Sequence, residues 1–239
     1  MIRHLFIFMI LLAAPITAKA HYLWVETARN GMVGQEQKVK VHYGEYTYGV
    51  IEEVNGEAFP AVSLFTLWVI HPDGEKEMLE TKAEKNHYSA SFVPQKNGTY
   101  TLLLNNNEIE VIDYTQYDFG IFKTHYHSTA KVSVGNAEGD TEVQNPSGLA
   151  IKELANDGGK VTLQVLYKDS PITEQEAKIF VSDLWSKTLE TDEKGQITFE
   201  LPWDTKYIVE TTKKEEVPGT YKGKDYEFIW HCATYCIKE

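Results

Sequence analysis

The chain has 239 residues and a formal net charge of −12. That acidity repels phosphate backbones and anionic lipid, which excludes nucleic acid as a partner and argues against a membrane surface. Past residue 20, no apolar run approaches the ~18 residues that a membrane-spanning helix needs, so a soluble protein with no membrane span is expected.

Residues 1–20 read as a secretory signal peptide. Arg3 and His4 form the basic start, Leu5 to Pro15 the apolar stretch, and Ala18-Lys19-Ala20 the small-x-small cleavage site. Cleavage after Ala20 would make His21 the new N-terminus of a periplasmic or secreted protein. With histidine rather than cysteine at that position, no lipoprotein anchor is expected.

Strand patterns follow in close succession. Lys38 to Tyr43 alternates, with Val39, Val41 and Tyr43 on one face and Lys38, Lys40 and His42 on the other. Ser63 to Ile70 is an apolar run stopped by the turn His71-Pro72-Asp73-Gly74. Tyr88, Ala90 and Phe92 alternate before Pro94. Asn97-Gly98 opens the strand Thr99 to Leu104, in which Gly98-Thr99-Tyr100 has the pattern of a tyrosine corner in an immunoglobulin-like sandwich. Short strands at 109–112 and 119–122, then Lys131 to Val134, complete an N-terminal unit over 21–135.

The polar segment 136–148, which contains Asn145-Pro146-Ser147-Gly148, is the best linker candidate. Strands recur beyond it at 161–167, 178–182, 197–201, 207–211 and 225–237, with almost no helical periodicity. The expected fold is all-β, two tandem immunoglobulin-like β-sandwich domains, the second over 149–239.

Beyond the leader the chain has seven histidines: His21, His42, His71, His87, His125, His127 and His231. His71 lies in a turn and His87 opens a strand, so both are expected at the surface. An N-terminal histidine offers its imidazole and an α-amine whose ordinary pKa is about 7.7–8.0, a ready chelate for a divalent transition metal. In His125-Tyr126-His127, strand geometry places the two imidazoles on one face about 6.5–7 Å apart. The metal ligands expected are therefore His21 with one or both of His125 and His127, and His42 as an extra ligand. A nitrogen-rich, tetragonal site of this kind favours Cu(II) or Ni(II). Glu26 and Glu45 are candidates to orient the ligands as hydrogen-bond acceptors; taken singly, each reads more readily as an ordinary surface acid.

Cys232 and Cys236 are the only cysteines. An oxidising compartment favours a disulfide between them. A strand over 226–237 would hold the sulfurs about 13 Å apart, too far to bond, whereas a turn would close the gap. Free thiols and a thiolate metal site are the alternatives. Tyr114, Tyr117, Phe119, Phe122 and Tyr126 crowd one stretch; core packing is favoured for them over a sugar-stacking platform. There is no phosphate loop, nucleophile elbow or zinc-protease motif.

The start His21-Tyr22-Leu23-Trp24-Val25 after Ala20, the run Gly34-Gln35-Glu36, the pattern Pro94-x-x-x-Gly98-Thr99-Tyr100 and the ending Trp230-His231-Cys232-Ala233-Thr234 together resemble a bacterial periplasmic family of unknown function. That family is the NikM-like, "nickel uptake substrate-specific" one. The resemblance implies two β-sandwich halves and a role in handling Ni, Cu or Co beside an outer-membrane or inner-membrane transporter. His21 is the residue it carries over; the cysteine pair is not part of its pattern. The expectation is thus a non-enzymatic periplasmic metal-binding protein for uptake or delivery. A copper-dependent oxidative enzyme acting on polysaccharide, and an accessory sandwich binding glycans or a transporter, are the alternatives.

Overall fold

The computed structural model describes residues 21–136, 143–157, 159–182 and 184–238. The signal peptide expected over 1–20 and residues 137–142 of the expected linker lie outside these residues. The described chain is all-β, and its helices are 3-10 turns of three or four residues. No helix among the described residues is long and apolar enough to cross a membrane.

Two sandwiches are present, each with its own core. In the first, the sheet containing Tyr22–Thr27, Gln37–Glu45 and Tyr88–Phe92 packs on strands Thr66–Ile70, Gly98–Asn106 and Ile121–Val134. Val39, Val41 and Tyr43 point into that core as their alternation predicts, beside Leu102, Leu104 and Val132. In the second, Leu149–Asp157, Lys160–Tyr167 and Gln196–Glu200 cover Glu176–Phe180, Tyr207–Glu215 and Phe228–Ile237. Ile151, Val165, Val209 and Tyr235 fill it.

The tyrosine corner forms as the sequence predicts. The Tyr100 hydroxyl donates to the Lys96 carbonyl at 3.0 Å and accepts from the Gln95 and Lys96 amides at 3.2 Å. A second corner, which sequence reading passed over, repeats it in the other half: Tyr207 bonds to the Trp203 carbonyl at 3.1 Å and amide at 3.0 Å.

The halves are not beads on a string. Ile121–Val134 pairs in parallel with Phe228–Ile237, so one ten-stranded sheet runs through both sandwiches. Its register sets His125 opposite His231 and Tyr126 opposite Cys232. A second tie is the Arg29 guanidinium, which grips the Glu153 carboxylate through two hydrogen bonds of 2.6 and 2.7 Å. The described part of the expected linker is packed as well: Val143 and Asn145 are buried.

Both cysteines lie on the strand Phe228–Ile237 with free thiols. The disulfide therefore does not form, because four residues of extended backbone separate the sulfurs by about 13 Å. Burial pushes the Cys236 thiol up to about 12 and the Cys232 thiol well above its ordinary value, so neither is a thiolate near neutral pH. The aromatic run divides: Phe122 is buried and Tyr126 packs on the first core, while Tyr114, Tyr117 and Phe119 are exposed.

Candidate metal centre

Three histidines converge where the two halves share their sheet. Residues of matched register on paired strands present side chains to the same face, and so do residues two apart on one strand. His125, His127 and His231 therefore face the same way, with one ligand nitrogen from each within 4.8 Å of the others. The closest approach is His127 Nε2 to His231 Nδ1, at 3.0 Å. His127 and His231 are each 1% exposed, whereas His125 is half-buried and opens towards solvent.

The outer nitrogens of the close pair are already engaged. Asn105 and Asn145 exchange side-chain amide hydrogen bonds of 3.1 Å each, and Asn145 Nδ2 also donates to the Leu149 carbonyl at 2.7 Å. This arrangement turns Asn105 Oδ1 towards His127 Nδ1, 2.5 Å away. Asn145 Nδ2 is also 3.3 Å from that nitrogen, but its two hydrogens are directed at Asn105 Oδ1 and the Leu149 carbonyl, so the shorter contact favours a protonated Nδ1. On the other side, Glu215 Oε2 lies 3.0 Å from His231 Nε2. Burial would raise the Glu215 carboxyl, but its bonds to Lys168 and His231 bring it down to about 2; it is ionised and makes His231 Nε2 a donor.

With both outer nitrogens protonated, both inner nitrogens present lone pairs. Two lone pairs facing each other at 3.0 Å repel unless a cation lies between or beside them. A shared proton is disfavoured by the surroundings. Burial, then the neighbouring histidines, holds His127 well below its ordinary value. Burial lowers His231 with Glu215 opposing, and burial and His231 bring His125 down to about 3. Neutral imidazoles with fixed tautomers are the protonation state that a metal ion requires. At a metal–nitrogen distance of ~2.05 Å, nitrogens 3.0 Å apart subtend about 95° at the ion, suited to neighbouring ligands in tetragonal or distorted tetrahedral geometry. Asn105 and Glu215 then serve as the outer acceptors that orient metal-ligating histidines.

Gly148 gives this pair its room. A Cβ at that position would stand 2.3 Å from His127 Nε2 and 2.7 Å from His231 Nδ1. These are close to coordination distances for a transition metal and far too short for carbon. Glycine keeps that volume free of side chain at the mouth of the two lone pairs.

The other expected ligands lie elsewhere. The His21 carbonyl accepts from the Tyr126 hydroxyl at 2.9 Å, and Tyr126 projects from the face opposite to His125 and His127. His21 Nε2 meets Glu52 Oε1 at 2.7 Å. The sheet thus separates His21 from the histidine triad. His42 stacks on Trp24 at 5.2 Å and neighbours His87 at 5.3 Å, in the other layer of the first sandwich. Glu26 orients no triad histidine: it binds Lys206 at 2.6 Å and Lys238 at 3.1 Å, with His42 at 3.8 Å. Glu45 faces a cavity between the two halves. The sequence pattern brought His125 and His127 together; His231, Asn105, Asn145, Glu215 and Gly148 were missed. The parallel pairing of distant strands, which no local pattern encodes, supplies His231.

Residues 18–215 match the model of a family described as "Domain of unknown function (DUF4198)". The chain belongs to that family. No curated protein matches it. Among solved structures, a DUF4785 family protein from Legionella pneumophila is similar at 15% identity and a TM-score of 0.30, covering 82% of this chain and 52% of that one. Salmonella alpha-2-macroglobulin reacted with methylamine is similar at 10% identity and a TM-score of 0.30, covering 91% of this chain and 15% of that one. A point mutant of the same macroglobulin gives 0.31 with the same coverage. The DUF4198 chain thus spans about half the length of the first of these structures and a small part of the others.

The buried histidines set an acid limit on the stability of the metal-free protein. His125 at about 3 and His42 at about 4 lie below their ordinary 6.5, and His127 and His231 are lowered as well. The unfolded chain therefore takes up more protons than the folded one as pH falls below 6.5, and stability is lost at ~1.4 kcal/mol per pH unit for each proton of difference. Glu210, raised from 4.5 to about 7 by burial, opposes this, because its contribution is present at low pH and lost as pH rises through 7. Four histidines outweigh one carboxyl. The unfolding midpoint in EDTA is expected to fall steadily from pH 7 to pH 5; a flat or rising midpoint would contradict the assignment of these imidazoles as neutral.

Proposed function

We propose that this DUF4198 protein is a periplasmic binding protein for a divalent transition metal, held by His125, His127 and His231, for uptake or delivery. The observation that carries the reading is the pair of inner nitrogens 3.0 Å apart, each made a lone pair by a fixed partner on its far side. Three neutral imidazoles, with no ligating thiolate or carboxylate, suit Cu(II), Zn(II) and Ni(II) over Mg(II) or Ca(II). The intrinsic order at such a site is Cu(II) above Ni(II) above Co(II). His125, the more open of the three, gives the ion its access from solvent and leaves a side for hand-over to a transporter. The N-terminal resemblance to nickel-uptake proteins agrees with this cargo class.

Calorimetric titration of the chain beginning at His21 tests the proposal. The wild type is expected to bind one Cu(II) and one Ni(II) at the same site. His21→Ala should leave the affinity unchanged. Glu215→Ala should weaken it by about 10–100-fold, the usual consequence of removing the acceptor that orients a ligating imidazole. Loss of affinity in His21→Ala with none in Glu215→Ala would place the metal at the N-terminus instead.

A further inference from the structure

A second site lies on the opposite face of the strand that carries His231. Trp230 precedes that histidine and points the other way, into a cavity of about 630 Å³ between the two halves. Tyr22, Glu45 and Tyr48 line it from the first half, and Phe180 and Glu210 from the second. Its size is that of a site for a small organic molecule.

Glu45 is the unexplained group. It is 7% exposed, and its Oε2 is fully buried with no hydrogen-bond partner. Burying a carboxylate oxygen without a partner is unfavourable, and such a group calls for a completing partner, for which a ligand in the adjoining cavity is a candidate. Glu210 stands in the same cavity and accepts a contact from Cys232 Sγ at 3.4 Å. Lys178, also at the cavity, is engaged by Glu176 at 3.2 Å. The lining is therefore anionic at Glu45 and Glu210 and aromatic at Tyr22, Phe180 and Trp230, with the Tyr22 and Phe180 rings stacked 6.3 Å apart.

This combination selects a cation with hydrocarbon attached. A carboxylate balances the charge, and aromatic faces receive the ammonium and its alkyl or aryl body. A metal ion suits it poorly, since among the described residues only the histidine triad brings three ligand atoms within 4.8 Å of one another. We propose that the cavity between the halves binds a small organic ammonium compound, with Glu45 as its counter-ion and Glu210 as a second acceptor. The proposal is independent of the metal reading.

The test uses the full chain in EDTA at pH 8, titrated with benzylamine and with benzyl alcohol, its neutral counterpart of similar size. Benzylamine is expected to bind at least tenfold tighter than the alcohol. Glu45→Gln should abolish that preference and, because it replaces an unpartnered buried charge, raise the unfolding temperature of the ligand-free protein. Glu210→Gln provides a second reading, with the preference reduced at least threefold. Equal binding of the two probes, no binding of benzylamine, or a preference that survives in both variants would overturn the proposal.

Discussion

Gly148→Ala is expected to reduce Cu(II) and Ni(II) affinity by at least a hundredfold while leaving a folded protein. The added methyl would stand 2.3 Å from His127 Nε2 and 2.7 Å from His231 Nδ1, where a bound ion would lie. Neither ring can withdraw easily, since Asn105 holds one from behind and Glu215 the other. The methyl must push the rings apart or displace the backbone of Gly148, whose carbonyl accepts from the Lys168 amide at 2.9 Å. Either movement costs about 1–3 kcal/mol of stability, typical of overpacking. A second effect separates the site from the fold. In the wild type a bound metal should raise the unfolding temperature, since a ligand held only by the folded state stabilises it. In Gly148→Ala that rise should vanish, even after allowance for a lower baseline in EDTA. An alanine variant that retains wild-type affinity would show that the volume beside Gly148 is not where the ion binds.

Arg29→Ala is expected to lower stability by about 3 kcal/mol, because it leaves the Glu153 carboxylate buried without its main partner. Glu153 has 1% of its side chain exposed, and its other partners among the described residues include the Tyr235 hydroxyl at 3.1 Å and Lys131 at 3.9 Å. In a chain of this size that loss corresponds to a fall of about 6–12 °C in Tm. The pair joins the first sandwich to the second, so the variant should weaken the union of the halves rather than one core. The double variant Arg29→Leu with Glu153→Leu should recover much of the loss, because removing both charges leaves neither one stranded. A single variant within about 0.5 kcal/mol of wild type would mark the pair as a solvated contact of the weak surface kind.

What the sequence revealed follows from the range of each signal. Alternation reports on the nearest two or three residues, and it placed Val39, Val41 and Tyr43 in the core and His125 beside His127 on one face. The corner at Tyr100 was legible because its partners lie four and five residues back. The corner at Tyr207 carries the same spacing to Trp203, but its segment lacks the Gly-Thr-Tyr pattern and was read only as a strand.

The site was half visible for the same reason. His231 meets the other two histidines through parallel pairing across more than a hundred residues, and parallel register leaves no local mark. Asn145 and Gly148 carried the composition of a linker, yet their small polar and side-chain-free character is what a tight approach over two imidazoles demands. His21 drew attention through its place after the cleavage site, while the sheet puts it on the far side from the triad. The cysteine spacing admitted a disulfide only in a bent backbone, and the backbone there is straight.

The central claim is that one transition-metal ion binds between His127 and His231 with His125 as the third ligand. Anomalous diffraction at the copper edge from crystals of the protein loaded with one equivalent of Cu(II) tests it most directly. The expected result is a single dominant peak about 2.0–2.3 Å from His127 Nε2 and His231 Nδ1, with a His125 nitrogen completing the set. A dominant peak at His21, or beside His42 and Glu26, with none at the triad would contradict it.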